Sequence, residues 1–272
     1  MKLDYGTRIS YSPIGLPFGL IRKPTLEECT TYPMSFEKFN SYESMLLLTP
    51  DLFFTEIAKE DVKETWLSLA EEERDKMTLY DLITLYSELA KEYEEIFDFF
   101  FIEKVIYENG IFFVIDPNKD ITKSQVVEKD IHGFIGRKEF DITLSVLRQI
   151  CCIGKEEVSV EEMKFKNEFQ KNLYLKYLKD KEEEEKKQKK TKQDNKMLLS
   201  NIISAVANKH NSLNYINIWK LTVFQLFDTF ERLQANAYYD IGATRTSVWG
   251  DEKKVFESSL WYKNHYEDNK SV

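Results

Sequence analysis

The chain has 272 residues, a formal net charge of −9 and 42% apolar residues, enough to bury one large core or two modest ones. It holds only nine glycines and six prolines, which argues against a Gly-rich nucleotide-binding fold and an all-β architecture of many tight turns, and for helices. The acidic balance repels phosphate backbones, so nucleic acid is not an expected partner, and no apolar run reaches the roughly 20 residues of a membrane-spanning helix.

In chain order, residues 2–22 predict two short strands flanking the turn residues Ser12, Pro13, Ile14 and Gly15. Thr25 and Glu28 have capping-box spacing and start a short helix. Ser35 caps a second helix with Phe36, Phe39, Tyr42 and Leu46 on one face, and Pro50 ends it. A charged helix follows around Trp66 and Leu69. Thr78 then caps a long amphipathic helix whose stripe is Leu79, Leu82, Ile83, Tyr86, Leu89, Tyr93 and Ile96. The period changes in "FFFIEKVIYENGIFFVID", a β-hairpin turning at Asn109-Gly110. Short strands are expected near 121–127 and 131–135, and a helix returns in "RKEFDITLSVLRQICC".

Ser159 and Glu162 form another capping box, opening a helix with Phe165, Phe169, Leu173 and Tyr177 at four-residue steps. Residues 179–196 hold eight lysines, six acids and no apolar residue. Their Glu–Lys pairs at i,i+4 predict a solvated helix or linker that holds the two halves of the chain apart. An apolar helix follows over 197–209. Thr222 and Gln225 cap a further helix with Val223, Leu226, Phe227, Phe230, Leu233 and Ala237 on one face and Phe224 beside it. "YYDIGATRTSVWGD" reads as a Gly-bounded loop carrying Asp240, Arg245 and Trp249.

Chemical signatures are scarce. The histidines, His132, His210 and His265, are far apart in sequence, and there is no HExxH and no zinc-type Cys/His spacing. GxSxG, GxGxxG and GxxxxGK[ST] are all missing. "DPNKD" opens like a calcium loop, but Ile121 and Val127 stand where glycine and glutamate are needed, so it reads as a turn. Cys29, Cys151 and Cys152 are odd in number and lack CxxC spacing, the usage of a reducing compartment. No cofactor and no metal is expected, and the chain does not read as an enzyme.

Two stretches carry a resemblance. One is "DYGTRISY…GLPFGLIRKPTLEE…FEKFNSYESMLLLTPDLFF"; the other is "LLSNIISAVANKHNSLNYINIWKLTVFQLFDTFERLQANAYYDIGATRTSVWGD…WYKN". The pattern resembles tail-morphogenesis proteins of tailed phages and prophages of Firmicutes. Those share a β start, a K/R-P-T-x-x-[ED] turn, a Lys/Glu-rich centre and a terminal N-I-W-x-L-T-[VY]-[FY]-Q-L-[FW]-D helix. It covers roughly the first 60 and last 75 residues. It implies a chaperone-like tail assembly protein that binds tape-measure or tail-tube components in the host cytoplasm. A structural virion protein of the tail or neck is the alternative and an uncharacterised enzyme a third reading. Self-association stays open.

The expected fold is mainly α with a small α+β part. It comprises an N-terminal β-hairpin plus helices (1–59), an α+β module (60–155), a charged helix or linker (156–196) and a C-terminal helical module (197–272). The expected partner-binding residues are Trp219, Phe224, Phe227, Arg245, Trp249 and Trp261.

Overall fold

In the computed structural model, which describes residues 1–116, 130–153, 198–251, 256–264 and 266, Asp4 decides the first element. Its carboxylate accepts the Thr7 amide at 2.8 Å and caps a helical turn, α1 (Tyr5–Ile9), where alternation had suggested a strand. The predicted hairpin forms further on, from β1 (Ile14–Leu16) and β2 (Gly19–Ile21), and turns at Pro17-Phe18 instead of at Ser12–Gly15.

Thr25 and Glu28 make the expected capping box on α2 (Leu26–Thr30), and Ser35 caps α3 (Phe36–Leu46). Pro50 does not end α3. It occupies the first position of α4 (Pro50–Leu52), capped by Thr49, which widens into a π turn over Phe53–Ile57. Two short helices, α5 (Glu60–Ser68) and α6 (Glu71–Arg74), complete this corner around buried Trp66, stacked on Phe54 at 4.3 Å.

The long amphipathic helix is two. Thr78 caps α7 (Leu79–Leu85), but Tyr86 leaves the helical region (φ −115°, ψ 100°) before α8 (Ser87–Phe100) begins. The break lets the Tyr86 ring pack on Phe53 at 4.9 Å. The hairpin of β3 (Lys104–Glu108) and β4 (Ile111–Ile115) turns where expected, with Asn109 at φ 51° and Gly110 at φ 85°, the pair of positive angles that a two-residue turn needs. β5 (Ile131–Ile135) joins to give an antiparallel sheet of order β3-β4-β5.

The outer edge of β3 is covered by side chains from α8. Asp98 accepts the Val105 amide and Glu94 the Tyr107 amide, each at 3.0 Å. Four residues of helix, about 6 Å, nearly match two residues of strand, about 6.7 Å, so carboxylates four apart meet amides two apart. An edge that could template pairing with another chain is thereby occupied.

α9 (Arg137–Ile150) lies across this sheet and brings Phe140 onto Tyr93 (5.3 Å) and Phe97 (5.6 Å), while Phe97 meets Phe112 at 5.0 Å. The C-terminal part contributes α10 (Leu199–Lys209), a 3-10 turn (Ile218–Lys220) and α11 (Val223–Trp249). These join the same core, which runs without interruption from Leu3 to Leu226. The Leu26 amide donates to Leu221 O at 2.8 Å, Gln225 Nε2 donates to Ile9 O at 2.8 Å, and Thr25 and Thr222 form an antiparallel bridge. The two halves are therefore not held apart as expected from the charged run. The fold is mainly α, with a hairpin, a three-stranded sheet and a helical C-terminal part. The expected strand at 121–127, the Ser159–Glu162 capping box with its helix, most of "DPNKD", the run 179–196 and His265 lie outside the described residues.

Two features set stability tests. Gly133 of β5 lies against the hairpin tip: a Cβ there would sit 2.6 Å from Phe18 O, a clash with backbone that cannot swing away. Gly133→Ala is expected to lower the unfolding free energy by about 2–4 kcal/mol, read from urea denaturation. On α3, burial pushes the Glu43 carboxyl from the usual 4.5 up to about 7. Between those values the folded chain keeps a proton that the unfolded chain has lost, so stability falls as pH rises through this window. Glu43→Gln should flatten that slope and stabilise the protein at pH 8 by about 2 kcal/mol, checked by denaturation at pH 5 and pH 8.

Candidate partner-binding face

Helix α11 starts with the predicted capping box. Thr222 accepts the Gln225 amide, and the Gln225 side chain accepts the Thr222 amide at 3.1 Å. Its first half is buried on two sides. Val223 and Leu226 are core residues, with Phe227, Phe230 and Leu233 packed against it, and α10 is their neighbour. The other side presents Phe224, Asp228 and Arg232 to the N-terminal helix. Phe224 is fully buried, 6.1 Å from the Tyr5 ring and 4.9 Å from Tyr266. Asp228, 4% exposed, accepts from Tyr5 Oη and from Arg232 Nε, both at 3.0 Å, and Arg232 also donates to Tyr5 Oη at 2.9 Å. Burial raises the pKa of both Tyr5 and Tyr266, so the ring cluster stays neutral.

The segment after Tyr238 is helix, not the loop expected from its two glycines. Gly242 alone costs only about 1 kcal/mol against alanine in a helix, no proline intervenes, and the Thr244 and Ser247 hydroxyls bond back to Asp240 O and Thr244 O. Gly250 at φ 75° ends the helix.

Past Ala235 the helix runs beyond the main core. Tyr238, Ile241, Val248 and Trp249 are 64–77% exposed, and with exposed Arg245 they follow steps of three and four along one face. The adjoining face is covered by residues 256–264. Phe256 fits against Gly242, where a Cβ would come within 3.0 Å of its ring, and Tyr239 meets Phe256 at 5.5 Å and Trp261 at 6.3 Å. Between helix and segment lies a groove of about 450 Å³ lined by Arg245, Trp249, Asp251, Phe256 and Glu257. Lys263 pairs with Glu257 at 2.9 Å and Asp251 accepts the Phe256 amide, whereas Arg245 has no ion pair among the described residues.

The six expected partner residues divide. Arg245 and Trp249 share the groove, and Trp261, half exposed, reaches it through Tyr239. Trp219 and Phe227 are half-buried against the core, with Trp219 Nε1 donating to Tyr215 O at 2.8 Å. Phe224 is corrected: it is a core residue and offers no surface. Tyr238, Ile241, Val248 and Tyr262 are exposed as well, without having been expected on this face. The first three would have been found from their 3.6-residue period had the segment been read as helix.

Among the described residues no three of His, Cys, Asp and Glu are placed to hold a metal. His210 uses Nδ1 to accept the Ser212 and Leu213 amides, bracing a loop. Burial pushes all three thiols well up, away from the thiolate form. No described helix is long and apolar enough to cross a membrane.

A family model described as the YomV second domain matches residues 186–266, a stretch that contains α10, α11 and the segment folded back on it. No curated protein and no solved structure matches the chain.

Core and face make opposite predictions. Phe224→Ala should cost about 3–5 kcal/mol of stability, and Trp249→Ala less than about 0.5 kcal/mol. Parallel thermal and urea denaturation of the two variants checks this.

Proposed function

We propose that the chain is a non-enzymatic phage tail assembly protein, chaperone-like, which binds tape-measure or tail-tube components through the distal half of α11. The exposed run Tyr238–Ile241–Val248–Trp249 carries this reading. Covering roughly 400 Å² of apolar surface at ~25 cal/mol per Å² contributes about 10 kcal/mol before the costs of association are subtracted. Trp beside Arg, near a small groove, is the composition of an interface hot spot. The family whose second domain matches this region is named from a phage- or prophage-type protein, which supports the phage assignment. Holding an assembly-prone partner requires a sticky surface and no bond-breaking chemistry.

Pulldown of purified tape-measure and tail-tube proteins tests it. Trp249→Ala and Arg245→Ala should each weaken capture at least about tenfold, or ~1.4 kcal/mol, with the melting temperature unchanged. Capture by these variants equal to the parent would sink the reading. Mass spectrometry of purified particles separates the roles: a chaperone is left out, and a structural part is present in stoichiometric amount.

A further inference from the structure

A second apolar surface lies on the N-terminal part, away from α11 in the chain. A groove of about 800 Å³ runs between the π turn Phe53–Ile57 and the break that separates α7 from α8. Met45, Phe53 and Leu89 form its floor, and Ile57, Val62 and Leu85 its walls. The π turn closes with Ala58 N–H donating to Phe53 O at 2.9 Å. Its extra residue keeps Phe53 and Phe54 inside while Ile57 stays out, 60% exposed. The break at Tyr86 does the same for Leu85, 67% exposed. Two departures from regular helix thus face one another and leave aliphatic side chains bare.

The rim carries charge of one sign on one side. Glu88 and Glu92 line it from α8, one turn apart, and neither has an ion pair among the described residues. Like charges at i,i+4 cost a helix a few tenths of a kcal/mol, which the helix dipole offsets at Glu88, in the first turn of α8, but not at Glu92. The aliphatic floor suits the apolar face of a helix.

We propose that this groove docks an amphipathic helix of a partner protein. Its apolar face enters between Ile57 and Leu85, and two Lys or Arg residues one turn apart meet Glu88 and Glu92. Lys59 also lines the groove, beside the π turn, so the two carboxylates of α8 select a helix whose basic residues lie along one side only. The site is independent of the α11 reading.

Fluorescence anisotropy with the full chain tests this. One labelled synthetic peptide of about 18 residues, five helical turns, carries Leu at i, i+3, i+4 and i+7 and Lys pairs at i,i+4; a second has the same composition shuffled. The periodic peptide should bind at least about tenfold tighter than the shuffled one, and Leu85→Glu should cost about tenfold. Glu88→Lys with Glu92→Lys should invert the preference toward a peptide with Glu in place of Lys, an effect that misfolding does not produce. Trp249→Ala should leave this binding unchanged, which keeps the two surfaces distinguishable. Equal affinity for both peptides, no binding, or a charge reversal without a change in preference would overturn the proposal. A dimer in sedimentation velocity that Ile57→Glu dissociates would overturn it too, by giving the groove to a second copy.

Discussion

Two threonines hold this architecture together. Thr25 and Thr222 are each the N-cap of a helix, each in a complete capping box, and they bridge to one another in antiparallel fashion. A helix start leaves amides unsatisfied. Here the side chain at position three of each helix takes the cap's own amide, and the Leu26 amide finds Leu221 O across the junction. The first turns of α2 and α11 are therefore satisfied jointly, and their directions are fixed relative to one another. The Tyr5–Asp228–Arg232 cluster and the Gln225 contact to Ile9 O follow from that register.

The junction also explains why α11 can serve two ends. Its first half is clamped on both sides, by α10 and by the N-terminal turn, which leaves its second half to extend on a rigid base. A binding face on such an extension is positioned by buried neighbours but not covered by them. Folding residues 256–264 back onto only one side, through the notch at Gly242, leaves the other side as the bare stripe. Apolar groups that would be a liability on an isolated helix are thus held in fixed positions, and the partner proposed for them would meet a face that needs no reordering.

Much of this was legible beforehand where one residue type has one mechanical use. Asn109-Gly110 specified its turn because few other residues accept two positive φ angles, and Thr25, Ser35, Thr78 and Thr222 each marked a helix start through a hydroxyl at the right spacing. The failures also have physical sources. α1 was hidden because a single aspartate outweighs a strand-like alternation over five residues. The distal half of α11 looks like a loop from its residues because Gly242 and Gly250 are alike in sequence, although one sits inside a helix and the other ends it. Phe224 lies off the single apolar stripe that the sequence shows, yet the helix has a second buried side. That side is built by Tyr5 and Tyr266, far away in the chain and invisible to any local period. The junction between the two threonines was unreadable for the same reason, since a bridge between distant caps leaves no local pattern.

The pairing of Thr25 with Thr222 has a consequence for biosynthesis. Residue 25 leaves the ribosome long before residue 222, so α2 waits with an unmet backbone partner and with Leu26 bare while most of the chain is still being translated. Contacts of such long sequence separation form late, and the waiting intermediate exposes apolar surface. A protein whose own halves close so late carries its greatest exposure to aggregation during synthesis, before the junction can form.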